Sequence, residues 1–359
     1  MLFVILGNDS DAMKEIPYEF HSSFNDRYAV ASRKILRILS ENSRTPISGI
    51  AKDVNLSRKS AKDRLKKLEE EFGIKYTLEL NEEVLGLTVP HIILANFTLE
   101  PDYEHIAKML KDSHVVQAAF SVKNKRQIVI YALASSYKDY TYEDNKILTQ
   151  LSEYGVDWQS SELVHKQLGF FPFRNELIDR LGIKPKYKDM LKVLNDNSRA
   201  SFQEISKRLG MHFNTVAYTF NKLMNKNYII RPTLTMDVPK DIELMFFFVK
   251  YTPKLDFEKS AVKIRKAFKS DDEYSLVSRY ILCAPLIGAF GHFGIGAFDN
   301  YKSAYEHVAQ FHRQTLDGHI SKVVVGAIDK VLLGRLPIRS MDTKKEYRTI
   351  DWSVNEQSQ

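Results

Sequence analysis

The feature that most constrains what this chain can fold into is a repeat. The stretch KILRILSENSRTPISGIAKDVNLSRKSAKDRLKKLEEEFGIK begins at Lys34. It is echoed without a gap by DMLKVLNDNSRASFQEISKRLGMHFNTVAYTFNKLMNKNYII from Asp189, a shift of 155 residues. Leu36 matches Leu191, Leu39 matches Leu194, and the tripeptide Asn42-Ser43-Arg44 recurs as Asn197-Ser198-Arg199. Self-similarity at a fixed interval means that one supersecondary unit is built more than once. At 359 residues the chain has room for roughly two to four domains, so each copy is expected to carry a companion domain.

Each copy reads as three short helices. In the first, Ile35, Leu36 and Leu39 mark one apolar face, NSRTP turns the chain, and Ile47, Ile50, Ala51 and Val54 mark a second amphipathic segment. A third helix follows Ser57, a good N-cap, with Ala61, Leu65 and Leu68 spaced to form a buried stripe. Arg58, Lys59, Lys62 and Lys66 project together from its other side. A short turn between two helices, the second of them basic, is the helix-turn-helix pattern. FGIKYTLEL and NYIIRPTLTM then read as a short strand pair, the expected wing.

Between and after these units, strands alternate with helices. HIILANFTL, YEHIAKMLKDS, VVQAAFSV, RQIVIYAL, YEDNKILTQLSEYG and VDWQSSELV give the order βαββαβ. LMFFFVKYT, FEKSAVKIRKAFKS, YSLVSRYIL, a glycine-rich hairpin to Phe298, NYKSAYEHVAQFHRQTL and ISKVVVGAI repeat it. That order is ferredoxin-like. The fold class is therefore α+β, two winged helix-turn-helix domains alternating with two ferredoxin-like βαββαβ domains. The expected division is an N-terminal extension at 1–30, the first winged helix-turn-helix at 31–87 and the first ferredoxin-like domain at 88–168. A linker with the second winged helix-turn-helix at 169–240, the second ferredoxin-like domain at 241–335 and a polar tail at 336–359 complete it. The linker stretch 166–188 holds an apolar-periodic piece expected to pack, and Trp352 is placed to anchor the tail.

Charge and composition narrow the classes. The single cysteine, Cys283, forms no internal disulfide and is too few for a zinc module, which fits a cytoplasmic protein. MLFVILGNDS lacks the basic start and length of a signal peptide. The uncharged run 280–298 approaches the length of a membrane span, but four glycines and Pro285 favour two strands joined by a turn. Overall net charge is +7. Residues 31–68 carry eleven Lys and Arg against three acids, residues 186–223 seven against three, and residues 88–165 seven against ten. Positive charge is thus concentrated on the helical units, where a phosphate backbone would lie.

A winged helix-turn-helix followed by a ferredoxin-like domain resembles the Lrp/AsnC family of transcription regulators. NLSRKSAKDRLKKLEEEFGIK is similar to the family's recognition helix and the entry to its wing. The resemblance covers nearly the whole chain twice, which implies a tandem-duplicated member, a covalently joined pseudo-dimer with room for further homo-oligomers. In the second copy MHFNTVAYTFNKLMNKNYII keeps the apolar skeleton Val216, Phe220 and Leu223 but not the basic residues or the glycine. The two ferredoxin-like sheets are expected to pack on each other within the chain, as the family's dimer implies. The family's effector turn has the pattern G-x-x-D. Asn124 to Gln127 and Gly291 to Gly294 stand at that place without the aspartate, so a small-molecule effector stays open.

The resemblance implies double-stranded DNA as the partner and no membrane. The residues expected to contact DNA are Ser57, Arg58, Lys59, Ser60, Lys62 and Lys66 in the first copy. In the second copy they are His212, Asn214 and Thr215 at equivalent positions, with Tyr218 a turn later. Arg58 and Lys59 are chemically suited to guanine O6 and N7, Asn214 to adenine, and the lysines to phosphates. Arg64, on the flank of the buried stripe, suits a structural pair or a phosphate equally.

No P-loop occurs, and Gly294, Ile295 and Gly296 with Asp299 mimic only part of a dinucleotide turn. Asp299 or Asn300 is expected to cap a helix. His307 and His312, five apart, diverge by about 140° on a helix and make no metal pair, reading instead as surface or partly buried side chains. No catalytic residue, metal or cofactor is expected, and the chain reads as a non-enzyme. Two alternatives keep the same architecture. Siroheme decarboxylases resemble the same paired unit and bind a tetrapyrrole, although VVQAAFSVKN and SLVSRYILCA lack their histidine-containing strand. A partner-binding scaffold is the other.

Overall fold

The structure is a computed structural model and describes residues 30–164, 169–237, 243–252, 280–298, 300–315 and 319–335. The N-terminal extension, the helix expected at FEKSAVKIRKAFKS, the start of YSLVSRYIL, Asp299 and the tail with Trp352 lie outside the described residues.

The chain is mixed α/β and opens with α1 (Val30–Glu41), α2 (Ile47–Asp53) and α3 (Arg58–Phe72). Ile35, Leu39, Ile50, Ala61, Leu65, Leu68 and Phe72 are buried together, the residues at helical spacing in the sequence. Gly73 ends α3 in the left-handed conformation, φ 54°, a geometry that a side chain disfavours. The corresponding helices of the second unit are α7 (Pro185–Asp196), α8 (Phe202–Leu209) and α9 (Phe213–Asn225). Before them, α6 (Asn175–Arg180) and the buried Phe170, Phe171 and Phe173 pack the linker down. Arg174 fixes its position by donating from Nη1 to the carbonyls of Ser113 and Val116 and from Nη2 to that of Lys111.

The wings differ from a hairpin within each unit. Each unit supplies one strand, β1 (Lys75–Leu80) or β6 (Ile229–Thr235), and the two pair antiparallel with each other. Thr77 lies opposite Thr233 and Leu78 opposite Pro232, and displacing either pair by 155 residues gives the other. A local twofold relation therefore runs through this ladder. On it sit the serines of the repeated Asn-Ser-Arg tripeptides: Ser43 Oγ and Ser198 Oγ are 2.6 Å apart, and both are fully buried. Three neighbouring side chains are paired as well. Thr233 Oγ1 donates to Ser40 O at 2.6 Å, Ser198 Oγ to Thr233 O at 3.2 Å, and Thr77 Oγ1 to Asn195 Oδ1 at 2.9 Å. Burial without partners would cost several kcal/mol in a seam of this size, so the pairing fixes the register.

The remaining strands are β2 (Val89–Phe97), β3 (Val116–Val122), β4 (Gln127–Ala134), β5 (Val156–Leu163), β7 (Glu243–Tyr251), β8 (Tyr280–Gly288), β9 (His292–Phe298) and β10 (Ile320–Leu333). They form a closed barrel in the order β10-β3-β4-β2-β5-β8-β9-β7. Helices α4 (Tyr103–Asp112) and α5 (Tyr137–Leu151) accompany the first four strands, and α10 (Tyr301–Thr315) accompanies the second four. Asn300 caps α10, its Oδ1 accepting from Ser303 N at 2.9 Å. The two sheets cover each other's inner faces and also join at their edges, through β10 with β3 and β5 with β8. Closure leaves no free edge in the barrel.

Alternation along the strands separates two environments. Leu244, Phe246 and Phe248 of β7 point into the barrel, against Phe120 and Phe293, while Met245, Phe247 and Val249 face α10 with Val308 and Phe311. The uncharged run 280–298 is the β8–β9 hairpin, and among the described residues no helix is long and apolar enough to cross a membrane. Its glycines serve close packing. A side chain at Gly294 would collide with the Phe247 ring and meet Leu282 O at 2.8 Å.

Arg44 tests the twofold seam. Its Nη1 donates to Ser198 O at 2.6 Å and Ala200 O at 2.9 Å, and its guanidinium lies 4.8 and 5.1 Å from the ring centroids of Phe202 and Phe220. Arg44→Ala is expected to cost about 2 to 3 kcal/mol in chemical denaturation. A destabilisation no larger than that of the exposed Lys62→Ala would show that the seam does not hold the two units.

Candidate nucleic-acid interface

The first helix-turn-helix is set by its turn. Asn55 takes the left-handed conformation, φ 54°, Leu56 N donates to Ala51 O at 2.9 Å, and Ser57 Oγ accepts from Ser60 N at 3.0 Å to start α3. With Ala61, Leu65 and Leu68 turned inward, Ser57, Arg58, Lys59, Ser60, Lys62 and Lys66 are all exposed. Among the described residues only Lys66 of these cations has an acidic neighbour, Glu70 at 3.6 Å, and that pair is open to solvent. Arg64 is half-buried and donates from Nη1 to Ser32 Oγ at 3.2 Å, which gives it a structural partner on α1.

The second unit reaches the same geometry by other means. Ser201 and Glu204 form a reciprocal cap at the start of α8. His212 caps α9, its Nδ1 accepting from Asn214 N at 3.3 Å, so this imidazole supports the helix start. His212, Asn214, Thr215 and Tyr218 are exposed, with Phe213 at 46% and Tyr218 at 59% of full exposure. Phe213 rests edge-on against Phe202 with centroids 6.2 Å apart. Lys222 Nζ donates to Tyr218 Oη at 3.3 Å and lies 5.4 Å from its ring. The two exposed helix faces therefore differ in kind: α3 presents a row of cations, α9 a row of amides, hydroxyls and aromatic rings.

Residues 32–69 match the AsnC-type helix-turn-helix domain, and residues 188–230 match the winged helix-turn-helix DNA-binding family. The HTH-type transcriptional regulator LrpA of Pyrococcus horikoshii is 31% identical over 106 residues, which is 29% of this chain and 74% of LrpA. LrpA of Pyrococcus abyssi matches over the same length with the same identity. The chain belongs to the Lrp/AsnC family.

A second likeness corrects one expectation for this Lrp/AsnC protein. The siroheme decarboxylase NirDL superposes with a TM-score of 0.55 over 89% of this chain and 97% of its own, at 13% identity. The same enzyme in complex with an iron-uroporphyrin III analogue gives 0.53 over 88% and 96%, at 12% identity. The likeness is one of fold. An enzyme nevertheless carries this architecture along nearly its whole length, which overturns the reading of the chain as a non-enzyme: the lack of a familiar catalytic motif is no ground for setting catalysis aside.

The turns matched to the family's effector position are occupied by internal contacts. Lys123 pairs with Glu243 at 2.6 Å, Lys125 Nζ donates to Val325 O at 3.0 Å, and both tie the β3–β4 turn to the other half of the barrel. In the β8–β9 hairpin His292 is fully buried, with Nδ1 3.0 Å from Tyr251 Oη and Nε2 3.0 Å from Cys283 Sγ. His312, expected at the surface or partly buried, is fully buried beside it, with ring centroids 5.1 Å apart. Neither His312 nitrogen has a hydrogen-bond partner among the described residues. No group of three metal-ligating side chains is assembled among the described residues. Sequence reasoning also missed the seam role of Ser43, Arg44, Ser198 and Arg199, although their identity in both copies was the available signal.

Burial holds His312 neutral, its pKa far below the usual 6.5, with His292 and His307 adding repulsion. Burial likewise pushes His91 down to about 4, against a smaller opposing pull from Glu162. The unfolded chain takes up protons below about 6.5 that these imidazoles refuse in the fold, so stability intact above that pH falls as pH drops towards 4. His312 contributes to this loss for as long as its buried imidazole stays neutral while the unfolded chain's is protonated. His312→Leu is expected to flatten the acid limb of denaturation midpoints measured from pH 7.5 to 4.5. An unchanged limb would mean that His312 is protonated in the fold.

Proposed function

We propose that this chain is a sequence-specific, DNA-binding transcription regulator, a tandem-duplicated family member that supplies its own dimer partner. The proposed division is 31–87 and 169–240 for the two winged helix-turn-helix domains, and 88–168 and 241–335 for the two ferredoxin-like domains. The observation that carries the reading is the exposed row Arg58, Lys59, Lys62 and Lys66 on a helix whose other face is buried. Donors on the first turn of α3 suit base edges in the major groove, and Lys62 and Lys66 suit the flanking phosphates. The barrel holds the two reading units in one chain.

The shared fold with NirDL supports a second reading, tetrapyrrole chemistry. Two strands of the barrel offer no histidine to such a ligand: β3 is VQAAFSV and β8 is YILCAPLIG. The barrel interior at that level is filled by Phe120, Phe246, Phe248 and Phe293. A porphyrin absorbance band in purified protein would support this reading over the regulator.

Duplex binding across a salt series tests the regulator. Removing one cation that pairs with a phosphate flattens the slope of log K against log salt by about one unit. Lys62→Ala with Lys66→Ala should therefore lower it by about two and weaken all sequences alike. Arg58→Ala should cost about 1 to 3 kcal/mol on the preferred duplex. His212→Ala with Asn214→Ala should leave the slope unchanged. Equal flattening from the α9 pair would assign the phosphate-binding role to the other helix.

A further inference from the structure

We infer that the preferred duplex is bipartite and non-palindromic, with one arm read through guanine by α3 and the other through A·T pairs by α9. The inference rests on the DNA-binding reading above and extends it to the chemistry of the two half-sites.

The local twofold relation at Ser43 and Ser198 places α3 and α9 as equivalents, residue for residue at the 155-residue interval. In helix-turn-helix dimers two equivalent reading helices meet equivalent groove faces about one helical turn of DNA or a multiple apart, and the same relation is inferred for α3 and α9. What each meets there is decided by its side chains, and these are not equivalent. Arg58 corresponds to Phe213, Lys59 to Asn214, Ser60 to Thr215, Lys62 to Ala217 and Lys66 to Asn221. A palindrome rewards two like readers. This chain has two unlike ones.

The α3 front offers guanidinium and ammonium donors, which match the paired acceptors O6 and N7 of guanine and find one acceptor at N7 of adenine. The α9 front offers the Asn214 carboxamide, whose donor and acceptor match N7 and the N6 amino group of adenine. Beside it stand the Phe213 ring and the Thr215 methyl, apolar groups that suit the 5-methyl of the paired thymine. Phe213 is held by Phe202 and still nearly half exposed, and His212 is committed to capping, so the front of α9 is preformed with its apolar edge outward. With fewer cations on its exposed helix face than α3, this arm gains less from counterion release and depends more on base contact.

Selection from randomised duplexes with the full chain, and with its Arg58→Ala and Asn214→Ala variants, is the test. Both side chains are exposed, so neither substitution removes core packing. The expected product is one motif with a guanine-bearing arm and an A·T arm containing adenine. Arg58→Ala should reduce guanine discrimination roughly tenfold and leave the A·T arm intact, and Asn214→Ala should do the reverse. A palindrome with like arms, or a motif with a guanine arm alone, overturns the inference while DNA binding stands. Failure to enrich any duplex overturns the regulator reading itself, leaving α9 a protein-docking face.

Discussion

The antiparallel pairing of β1 with β6, closed around the 2.6 Å contact between Ser43 and Ser198, is the constraint on which the rest of the chain depends. Among the described residues neither strand has a strand partner within its own unit, and each satisfies the other's row of backbone donors and acceptors. Once the ladder forms, the repeated arginines follow. Arg44 crosses to the carbonyls and aromatic rings of the second unit, and Arg199 lies 5.0 Å over the Tyr76 ring of the first. The relative placement of the two helix-turn-helix units is therefore a property of one folded chain and does not depend on its concentration.

The barrel does the same at larger scale. β10 runs along β7 from Ile320 to Ala327 and continues along β3 from Ile328 to Leu333, so one strand stitches both halves. Its interior and the helical cores form a single apolar cluster that includes Leu39 and Leu194 as well as Phe120 and Phe246. The reading units and the barrel thus share packing, and a change in one is felt in the other.

The elements themselves were legible because each rests on local chemistry. Ser57 before a basic helix, the period of Ala61, Leu65 and Leu68, and the alternation in LMFFFVKYT all name structures that a few neighbouring residues decide. Pairing across 155 residues was not legible, since an isolated strand such as KYTLEL carries no mark of which partner it takes. The NSR repeat was visible as a match without its use: a buried serine looks the same in sequence as an exposed one. His312 was misjudged for a related reason, because Phe311 and Val308 beside it set a buried face wider than the periodicity implied. The candidate DNA residues were legible as exposed positions because the buried stripe of each helix left them no other side.

The twofold seam within one chain is tested most directly by replacing both serines, Ser43→Cys with Ser198→Cys. Their oxygens lie 2.6 Å apart, and a disulfide needs its sulfurs about 2.0 Å apart with little backbone movement. Thiols are alkylated after denaturation, so that burial does not protect them, and Cys283, the one cysteine of the natural sequence, takes up label in every sample as the internal reference. Under mild oxidation the expected product is a single chain, about two mass units lighter, with both new thiols protected from alkylation at every protein concentration. Free thiols, or bridges only between chains and only at high concentration, would contradict the seam.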